Sequence, residues 1–255
     1  MNLIKTEEQI DNMRRAGKIW AKTMAEIEAA IKPDISLKEI DELAEKSIRE
    51  QGGIPGFLGY KPESAKQGFP ATICASVNEI FVHAVPTDRK LKEGDIVTID
   101  MGVIIEGYNV DAAETFIIGQ TSEEARKLVR ATKLALEKAI AVAKPGATLG
   151  DIGAAVEAVA KENKLHVAQG LTGHGIGKNL HEEPMVRNTG TKGEGMPLQK
   201  GMCIAIEPMF AIGTGEIKKI HEDESYATKD GSLSAHFEHT LTITESGNEV
   251  LTNRS

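Results

Sequence analysis

The spacing of helix-capping signals predicts two pairs of helices, and this pattern limits the fold of the chain more than any other feature. A Ser or Thr followed three residues later by Glu, Gln or Asp marks a helix N-terminus, because the two side chains can cap each other's backbone N–H groups. Such signals begin at Thr6, Ser36, Thr121 and Thr148. Runs typical of β-strands follow each pair, at residues 72–77, 96–105, 110–118, 202–210 and 237–244. This alternation predicts an α+β protein with two comparable halves.

Two aspartates lie in the first long β-type runs. Residues 96–105 and 110–118 predict a hairpin with its turn near Glu106–Gly107. On that hairpin Asp100 and Asp111 are expected nearly to face each other, where two like charges are destabilising unless a cation lies between them. The alternative is a hydrogen-bonded pair of aspartates at strand ends, and these two residues alone do not decide between the two interpretations.

Three further candidate ligands interrupt other segments. Glu207 lies within the buried-strand pattern of residues 202–210, Glu238 precedes an apolar run, and His174 lies in a turn rich in glycine. A buried acid without a partner costs several kcal/mol, so such acids pair, shift their pKa or bind a cation. With the two aspartates, these groups supply four negative charges, which two divalent ions would neutralise in a site suited to hydrolysis. The alternatives are glutamates at strand ends that point to solvent and, for the histidine, a phosphate-binding loop, although the lysine or serine of such loops is missing.

Composition and the remaining motifs exclude several other classes of protein. The net charge of the 255 residues is −8 and the pI is about 5.5, so there is no overall attraction to nucleic acid. There is no Gly-x-Ser-x-Gly elbow, and both cysteines, Cys74 and Cys203, lie in apolar runs that favour an inert thiol. No apolar signal core or membrane-length apolar run is present. We therefore expect a cytoplasmic enzyme that does not bind a membrane.

Several sequence strings occur in the order of a known family. They are IKTEEQIDNMRRAGKI, PATICASVNEIFVHAVP, GHGIG, HEEP, IEPM and SAHFEHT. Together with the two aspartates, they resemble the methionine aminopeptidases in their bacterial type I form, which has no long insertion between His174 and Glu207. The likeness extends over nearly the whole chain. It implies the pita-bread fold, an α+β architecture with two pseudo-symmetric halves around a central antiparallel sheet, in a single catalytic domain of residues 1–255.

The resemblance implies a role for each of the conspicuous polar residues. It implies two divalent metal ions, of cobalt, manganese, iron or zinc, held by Asp100, Asp111, His174, Glu207 and Glu238. Of these ligands, Asp111 and Glu238 would bridge the two ions. Glu207 would also be the general base. His83 would contact the substrate amine or the scissile amide, and His181 would stabilise the tetrahedral intermediate.

The resemblance also implies a substrate pocket and a second kind of ion site. Phe69 and Cys74 match positions that line the methionine pocket, and Asn78 and Ser234 match positions that hold a monovalent cation in some relatives. The implied activity is hydrolytic removal of the initiator methionine from nascent polypeptides at the ribosome. The enzyme is expected to be a monomer that binds no nucleic acid by itself.

The chain departs from the family pattern at a few positions. Asn109 and Val110 stand where the family usually has His-Gly, and His236 stands where it usually has Gln. Leu180 and Glu224 stand where aromatic residues often line the methionine pocket. These departures bear on the preference for the substrate side chain more than on the metal chemistry.

Two other functions fit parts of the same pattern. An Xaa-Pro aminopeptidase or prolidase shares the fold, but those enzymes carry a large additional N-terminal domain, for which 255 residues leave no room. A noncatalytic module that binds peptide or RNA would be expected to have lost metal ligands, whereas all five are present here. Release of methionine from Met-Ala-Ser peptides, compared with cleavage of Ala-Pro peptides, discriminates among the three functions.

Overall fold

The structure is a computed structural model of the chain, and it describes residues 3–61, 67–220 and 225–254. All five predicted metal ligands belong to these ranges. Glu224, one of the departures in the predicted methionine pocket, lies outside the described residues. Within the described ranges, none of the helices has the length and apolar character that crossing a lipid bilayer requires.

The helices pack as two pairs, as the capping signals predict. The first pair is α1 (Glu7–Ala30) and α2 (Leu37–Glu50), and the second is α3 (Glu123–Val142) and α4 (Leu149–Asn163). The predicted capping boxes are present at the start of α1, α2 and α4. The predicted cap of α3 is wrong by one residue, because Ser122 accepts the hydrogen bond from the Ala125 N–H. The hydroxyl of Thr121 instead donates to the carbonyl of Gly94 at 3.0 Å, so a long-range contact decides which residue caps the helix.

Every strand pair in the described part of the chain is antiparallel, and the strands form four small sheets. In chain order the strands are β1 (Ile54–Pro55), β2 (Cys74–Val77), β3 (Ile80–Val82), β4 (Ile96–Ile105), β5 (Tyr108–Ile117), β6 (His166–Val167), β7 (Gly173–Gly175), β8 (Glu182–Val186), β9 (Cys203–Ile206), β10 (Met209–Ala211), β11 (Ile217–Lys219), β12 (Tyr226–Thr228), β13 (Ser234–His236), β14 (His239–Ile243) and β15 (Asn248–Val250). One sheet contains β1, β2, β4 and β5, and the largest has the order β15-β14-β9-β7-β8.

The β4–β5 hairpin confirms the predicted turn and corrects the predicted pairing of its aspartates. Glu106 and Gly107 have φ values of 49° and 76°, which suit the type I′ turn that matches the twist of a hairpin. Asp111 lies opposite Gly102 in the ladder, so it does not directly face Asp100. Because every second residue of a strand points to the same face, the two aspartates are diagonal neighbours on one face of the hairpin.

Each half of the molecule has its own apolar core. The first core lies between the α1–α2 pair and the sheet that contains β2, β4 and β5, with Trp20 and Met24 fully buried. The second lies between the α3–α4 pair and strands β9, β10 and β14, with Phe210 and Leu241 fully buried. Two cores of this kind are what two repeated blocks of helices and strands predict.

The two halves meet along β5, where threonine hydroxyls link the strands. The Asp111 N–H donates to Thr240 Oγ1 at 2.9 Å, and that hydroxyl donates to the Asp111 carbonyl at 2.7 Å. The Glu238 N–H donates to the Ala113 carbonyl at 2.9 Å. The Thr115 hydroxyl makes a similar pair of bonds with the backbone of the residue at the end of β13. These contacts bring the second half against the hairpin that carries both aspartates.

Candidate active site

The five predicted metal ligands come from five separate segments and lie together in the interior. Each of these five residues is no more than 9% exposed. Asp100 lies on β4, Asp111 on β5 and His174 on β7. Glu207 lies in the break between β9 and β10, and Glu238 in the break between β13 and β14. The sequence had suggested one strand through each glutamate, so both breaks are corrections to the predicted strands.

The donor atoms form two overlapping groups. Asp111, His174 and Glu238 each offer one ligand atom, and these atoms lie within 4.8 Å of one another. Glu207, His236 and Glu238 form a second group, whose ligand atoms also lie within 4.8 Å of one another. Glu238 belongs to both groups, so its carboxylate lies between two places where a cation could bind.

Burial disfavours the charged forms of all four carboxyls, and repulsion by neighbouring acids adds to this effect for three of them. Burial, followed by the charges of Asp111 and Glu207, holds the pKa of Asp100 well above its usual range. Burial raises the pKa of Asp111 to about 7, and a hydrogen bond between the Asp100 and Asp111 carboxyls opposes part of that rise. The pKa values of Glu207 and Glu238 are raised well above the ordinary value, again by burial and then by Asp111. A bound cation would reverse the sign of this repulsion.

Unpartnered polar atoms are concentrated in the same place. Among the described residues, seven buried side-chain nitrogen and oxygen atoms have no hydrogen-bond partner, and five of them are Asp100 Oδ1, Asp111 Oδ1, Glu238 Oε1 and both ring nitrogens of His236. Buried polar atoms in folded proteins almost always have a partner. Carboxylate oxygens and imidazole nitrogens are donors that divalent transition metals accept. The residues present therefore fit divalent cations.

His174 lies on a short strand and not in the predicted turn. A side chain at Gly173 would overlap the carbonyl oxygen of Ala205 on β9, so the glycines allow β7 to pair closely within the sheet. The His174 Nδ1–H donates to the Gly175 carbonyl at 2.9 Å, which leaves Nε2 without a proton. Burial lowers the pKa of His174 to about 4, so the imidazole is neutral and can act as a ligand.

The strand break at Glu207 points its carboxylate toward two imidazoles. Pro208 follows directly and has no N–H with which to continue the ladder. The Asn188 side-chain amide donates to the Glu207 carbonyl at 2.9 Å and fixes the break. Glu207 Oε1 lies 3.7 Å from His174 Nε2, and Oε2 lies 3.5 Å from His236 Nε2.

A cleft of about 330 Å³ opens beside these residues. Glu207 and His174 line it together with both histidines that were predicted to contact substrate, His83 and His181. Met185 also lines the cleft and is 49% exposed, so an apolar side chain is available at the site without rearrangement.

His181 is held at the mouth of the cleft by a tyrosine. The Tyr60 hydroxyl lies 2.7 Å from His181 Nδ1, and the two rings pack edge to face with centroids 5.4 Å apart. The His174 ring also packs edge to face against His181, at 4.4 Å. Partial burial, followed by the like charges of His174 and His83, lowers the pKa of His181, so its ring is neutral near neutral pH.

His83 has an unusual backbone conformation. Its φ is 65°, in the left-handed region that a residue with a side chain seldom adopts. Such strain persists where the surrounding structure determines it, and it often marks functional sites. The carbonyl of His83 accepts a hydrogen bond from the Ser225 hydroxyl at 3.0 Å. The His83 ring packs edge to face against the Tyr226 ring, with ring centroids 6.1 Å apart. These contacts fix His83 on the wall of the cleft.

The two predicted pocket residues lie near the site but are not among the residues that line the 330 Å³ cleft. Phe69 is half-buried, and its N–H donates to the Tyr60 carbonyl at 2.8 Å. Cys74 is buried opposite Asp100 in the β2–β4 ladder. Burial, followed by the charge of Asp100, holds the pKa of Cys74 well above its usual range, so the thiol stays protonated. Their part in a methionine pocket stays a prediction.

Asn78 and Ser234 are in direct contact. The Ser234 N–H and hydroxyl donate to the Asn78 carbonyl at 2.8 and 3.0 Å. The Asn78 side chain is used elsewhere, because its amide donates to Asp95 at 2.8 Å and its oxygen accepts from the Ile96 N–H at 3.0 Å. Any monovalent cation at this position would therefore meet backbone and hydroxyl oxygens, and this site too stays a prediction.

Two residues of the site received no role from the sequence. Tyr60 contacts a histidine 121 positions away, and no local pattern indicates that hydrogen bond. His236 was recognised only as a departure from the family pattern, although it lies within the SAHFEHT string two residues before a predicted ligand. That proximity is the one signal from which its position could have been predicted.

Comparisons with known proteins agree with this geometry. Residues 11–245 match the model of metallopeptidase family M24. The chain is 41% identical over 252 residues to methionine aminopeptidase 1 of Bacillus subtilis (strain 168), with 99% of each chain covered. The crystal structure of methionine aminopeptidase from Rickettsia prowazekii superimposes with a TM-score of 0.94 at 37% identity, over 99% of this chain and 100% of that one. The predicted pita-bread fold is thereby confirmed.

The fold extends to proteins of other specificity. Prolidase from Pyrococcus furiosus superimposes with a TM-score of 0.76 at 23% identity, and the match covers 99% of this chain but 66% of the prolidase. This likeness shows a shared fold alone.

Proposed function

Since the chain belongs to metallopeptidase family M24 and, within it, to the methionine aminopeptidases, we infer that it removes the N-terminal methionine of polypeptides by metal-dependent hydrolysis. It is an aminopeptidase, and its likeness to the Bacillus and Clostridium enzymes extends over 99% of the chain. The observation that carries this function is the convergence of four carboxylates and one imidazole from five segments in one buried site beside a cleft.

We propose that the site holds two divalent ions. Their ligands would be Asp100, Asp111, His174, Glu207 and Glu238. The unpartnered oxygens and raised carboxyl pKa values support this assignment, and a donor set rich in carboxylates suits manganese, iron or cobalt better than a closed structural zinc site. When bound, the ions would polarise the scissile carbonyl and lower the pKa of the attacking water.

We assign the general base to Glu207. Of the four acids, it is the one that lines the cleft, so a substrate and its attacking water can reach its carboxylate. The bond from Asn188 to the Glu207 carbonyl holds the backbone, so the carboxylate keeps one position while it takes up and releases a proton.

The two cleft histidines would handle the substrate amide. His181 is neutral, and because the Tyr60 hydroxyl occupies Nδ1, its Nε2 is the nitrogen available to substrate. An Nε2–H at this position would donate to the oxyanion that develops on the scissile carbonyl. His83, which also lines the cleft and is held there by its backbone, would contact the substrate amine or amide.

The preference for methionine is supported by apolar groups beside the acids. The protonated thiol of Cys74, buried opposite Asp100, and the half-buried Phe69, whose N–H donates to the Tyr60 carbonyl, are soft, uncharged groups. A flexible, unbranched thioether adapts well to such a surface. An apolar N-terminal side chain would therefore be accepted close to four carboxylates.

The setting of the reaction follows from the substrate. We propose that the enzyme acts as a monomer in the cytoplasm, on nascent peptides as they leave the ribosome. The net charge of −8 supports contact with polypeptide and not with nucleic acid on its own account.

The test of this function uses protein loaded with cobalt or manganese. We expect release of free methionine from Met-Ala-Ser peptides, loss of that release with a chelator, and no cleavage of Ala-Pro peptides. Cleavage of Ala-Pro with Met-Ala-Ser left intact would establish an Xaa-Pro aminopeptidase instead. Metal-loaded protein that cleaves neither peptide would overturn both aminopeptidase functions.

A further inference from the structure

His236 lies inside the buried site, although the reaction described above gives it no role. The residue is 1% exposed, and neither ring nitrogen has a hydrogen-bond partner among residues 3–61, 67–220 and 225–254. A buried imidazole with a structural role ordinarily donates from one nitrogen and accepts at the other. Its ring is therefore placed for a partner that is not a protein hydrogen-bonding group.

The position of this ring is set by the fold. The His236 N–H donates to Thr115 Oγ1 at 3.0 Å, and the Thr115 hydroxyl donates to the His236 carbonyl at 2.6 Å. Two residues on, the Glu238 N–H donates to the Ala113 carbonyl at 2.9 Å. Since β5 holds the backbone of both residues, the imidazole and the carboxylate are brought together without bonding to each other.

The distances around the ring match those between ligands of one ion. His236 Nε2 lies 3.5 Å from Glu207 Oε2 and 3.7 Å from Glu238 Oε2. Both distances exceed the roughly 2.7–3.2 Å of a hydrogen bond. Donor atoms that each lie about 2.0–2.2 Å from a shared ion are roughly 3–4 Å apart. The same holds for His174, whose Nε2 lies 3.7 Å from Glu207 Oε1 and which is already assigned as a ligand.

We propose that His236 is a sixth protein ligand of the metal pair and supplies a second imidazole nitrogen besides that of His174. The inference rests on the proposed metal-dependent function and extends its ligand set. The family pattern usually has glutamine at this position, so the extra imidazole would distinguish this chain. Imidazole suits iron, nickel and zinc better than it suits manganese. We therefore expect the site to bind the later metals of the series more tightly than a site with glutamine does.

The test counts imidazole ligands and does not depend on activity. We would load the full-length protein with two equivalents of Co²⁺ and record its X-ray absorption fine structure. Ligation by His174 and His236 gives an average of one imidazole per ion, and His236→Gln should halve that number. Calorimetric titration should show that His236→Gln binds at least one Co²⁺ about 10- to 100-fold more weakly. His166→Gln, which replaces an exposed histidine on β6, is the matched control and should change neither measurement.

The outcomes separate this inference from the function on which it rests. If the wild type binds two Co²⁺ but has only one imidazole ligand for the two ions together, His236 is not a ligand. The proposed metallopeptidase function is unaffected by that result. Equal imidazole scattering and equal affinity in wild type and His236→Gln overturn the role of His236 as well. Wild-type protein that binds no Co²⁺ overturns the proposed function itself. If His236→Gln does not fold, as judged by circular dichroism, the imidazole count of the wild type decides alone.

Discussion

Glu207 lies between two imidazoles, and its carboxylate is the group assigned as general base. Replacing Glu207 by Gln removes the basic oxygen but keeps the size and shape of the side chain. We expect kcat to fall by about 100- to 10,000-fold, the range typical of a lost general base. The measurement is steady-state release of methionine from Met-Ala-Ser peptides at saturating metal.

The matched control is Glu50→Gln, which changes an exposed glutamate at the end of α2 and should leave kcat unaltered. If Glu207→Gln turned over at a rate near that of the wild type, the proton would have to leave through another group. Circular dichroism distinguishes loss of chemistry from loss of the fold.

Under the proposed role of His181, Tyr60 would act through that histidine, so its removal should have a smaller effect than removal of the histidine. Tyr60→Phe deletes the hydroxyl that lies 2.7 Å from His181 Nδ1 and keeps the ring that packs against it. One hydrogen bond contributes about 0.5–1.5 kcal/mol, so we expect kcat to fall by about 2- to 13-fold. His181→Ala should lower kcat further, with less change in KM.

Tyr108→Phe is the control for this pair, because Tyr108 lies at the start of β5 next to the hairpin turn. An increase in KM alone for His181→Ala would mean that His181 contacts the substrate equally strongly in the ground state and in the transition state. Equal losses in Tyr60→Phe and His181→Ala would give the tyrosine a direct part in the chemistry.

At the scale of elements, helix α1 is positioned by a glycine in its interior. A side chain at Gly17 would overlap the carbonyl oxygen of Leu251, so the helix lies directly against the chain near its C-terminus. Alanine in place of glycine favours a helix by about 1 kcal/mol. Overpacking against a fixed backbone costs about 1–3 kcal/mol or more. We expect Gly17→Ala to lower the free energy of unfolding in a urea titration despite its better helix propensity.

Gly247→Ala is the control, since a side chain there has no atom within 4 Å and the glycine has no positive φ. It should unfold at the urea concentration of the wild type. A Gly17→Ala variant as stable as Gly247→Ala would show that α1 can move away from the C-terminal segment at little cost.

The elements that the sequence predicted well are those fixed by local contacts. The caps at Thr6, Ser36 and Thr148 depend on atoms three residues apart, and all three are as predicted. The cap of α3 is misplaced because Thr121 bonds to Gly94, a residue 27 positions away. The turn predicted around His174 is a strand because β9 pairs with it across the sheet, and no local pattern contains that pairing.

The same distinction holds for the site. Asp100, Asp111 and Glu207 were candidate ligands because each lies in an apolar run. The free-energy cost of burying an unpaired carboxylate is high in any fold. The resemblance to a known family then implied that these residues belong to one metal site. The diagonal offset of the two aspartates depends on the hairpin register, and the Tyr60–His181 bond depends on the packing of distant loops, so neither followed from the sequence.

At the scale of the whole molecule, the proposed ligand set contains residues of both halves. Asp100 and Asp111 belong to the first half, and the other three ligands belong to the second. Bound cations would therefore cross-link the halves, and removing them with a chelator should lower the melting temperature. An ion present at 100 times its Kd stabilises the folded state by about 2.7 kcal/mol. Calorimetry of stripped and reloaded protein tests this, and a melting temperature that does not follow the metal content would contradict it.

The stripped protein should also become less stable as the pH rises through neutrality. In an unfolded chain carboxyls have pKa values of about 3.9–4.3, whereas burial raises the pKa of Asp111 to about 7 and those of Asp100, Glu207 and Glu238 well above their ordinary value. Between these values the folded form holds more protons than the unfolded form, so the free energy of unfolding falls as pH increases.

The histidines do not disturb this window. Burial lowers the pKa values of His174 and His239 to about 4 and those of His181 and His236 to about 3, so their opposite effect on stability lies mostly below their ordinary value of about 6.5. We expect the melting temperature of stripped protein to fall over the interval around pH 7, where Asp111 loses its proton, while that of metal-loaded protein, whose acids stay ionised, changes less. Stripped protein that grows more stable over this interval would contradict the burial of these four acids.

The placement of the last ligand has a consequence for how activity first appears in the cell. Glu238 reaches the site only when β13 and β14 have been made and its N–H has bonded to Ala113 of the hairpin. A polypeptide still in synthesis thus has its aspartates but not all residues of the proposed metal site, and we expect it to be inactive toward neighbouring chains. We expect aminopeptidase activity to appear only after Glu238 has joined the site, so a copy that ends before this residue would remove no methionine from other chains.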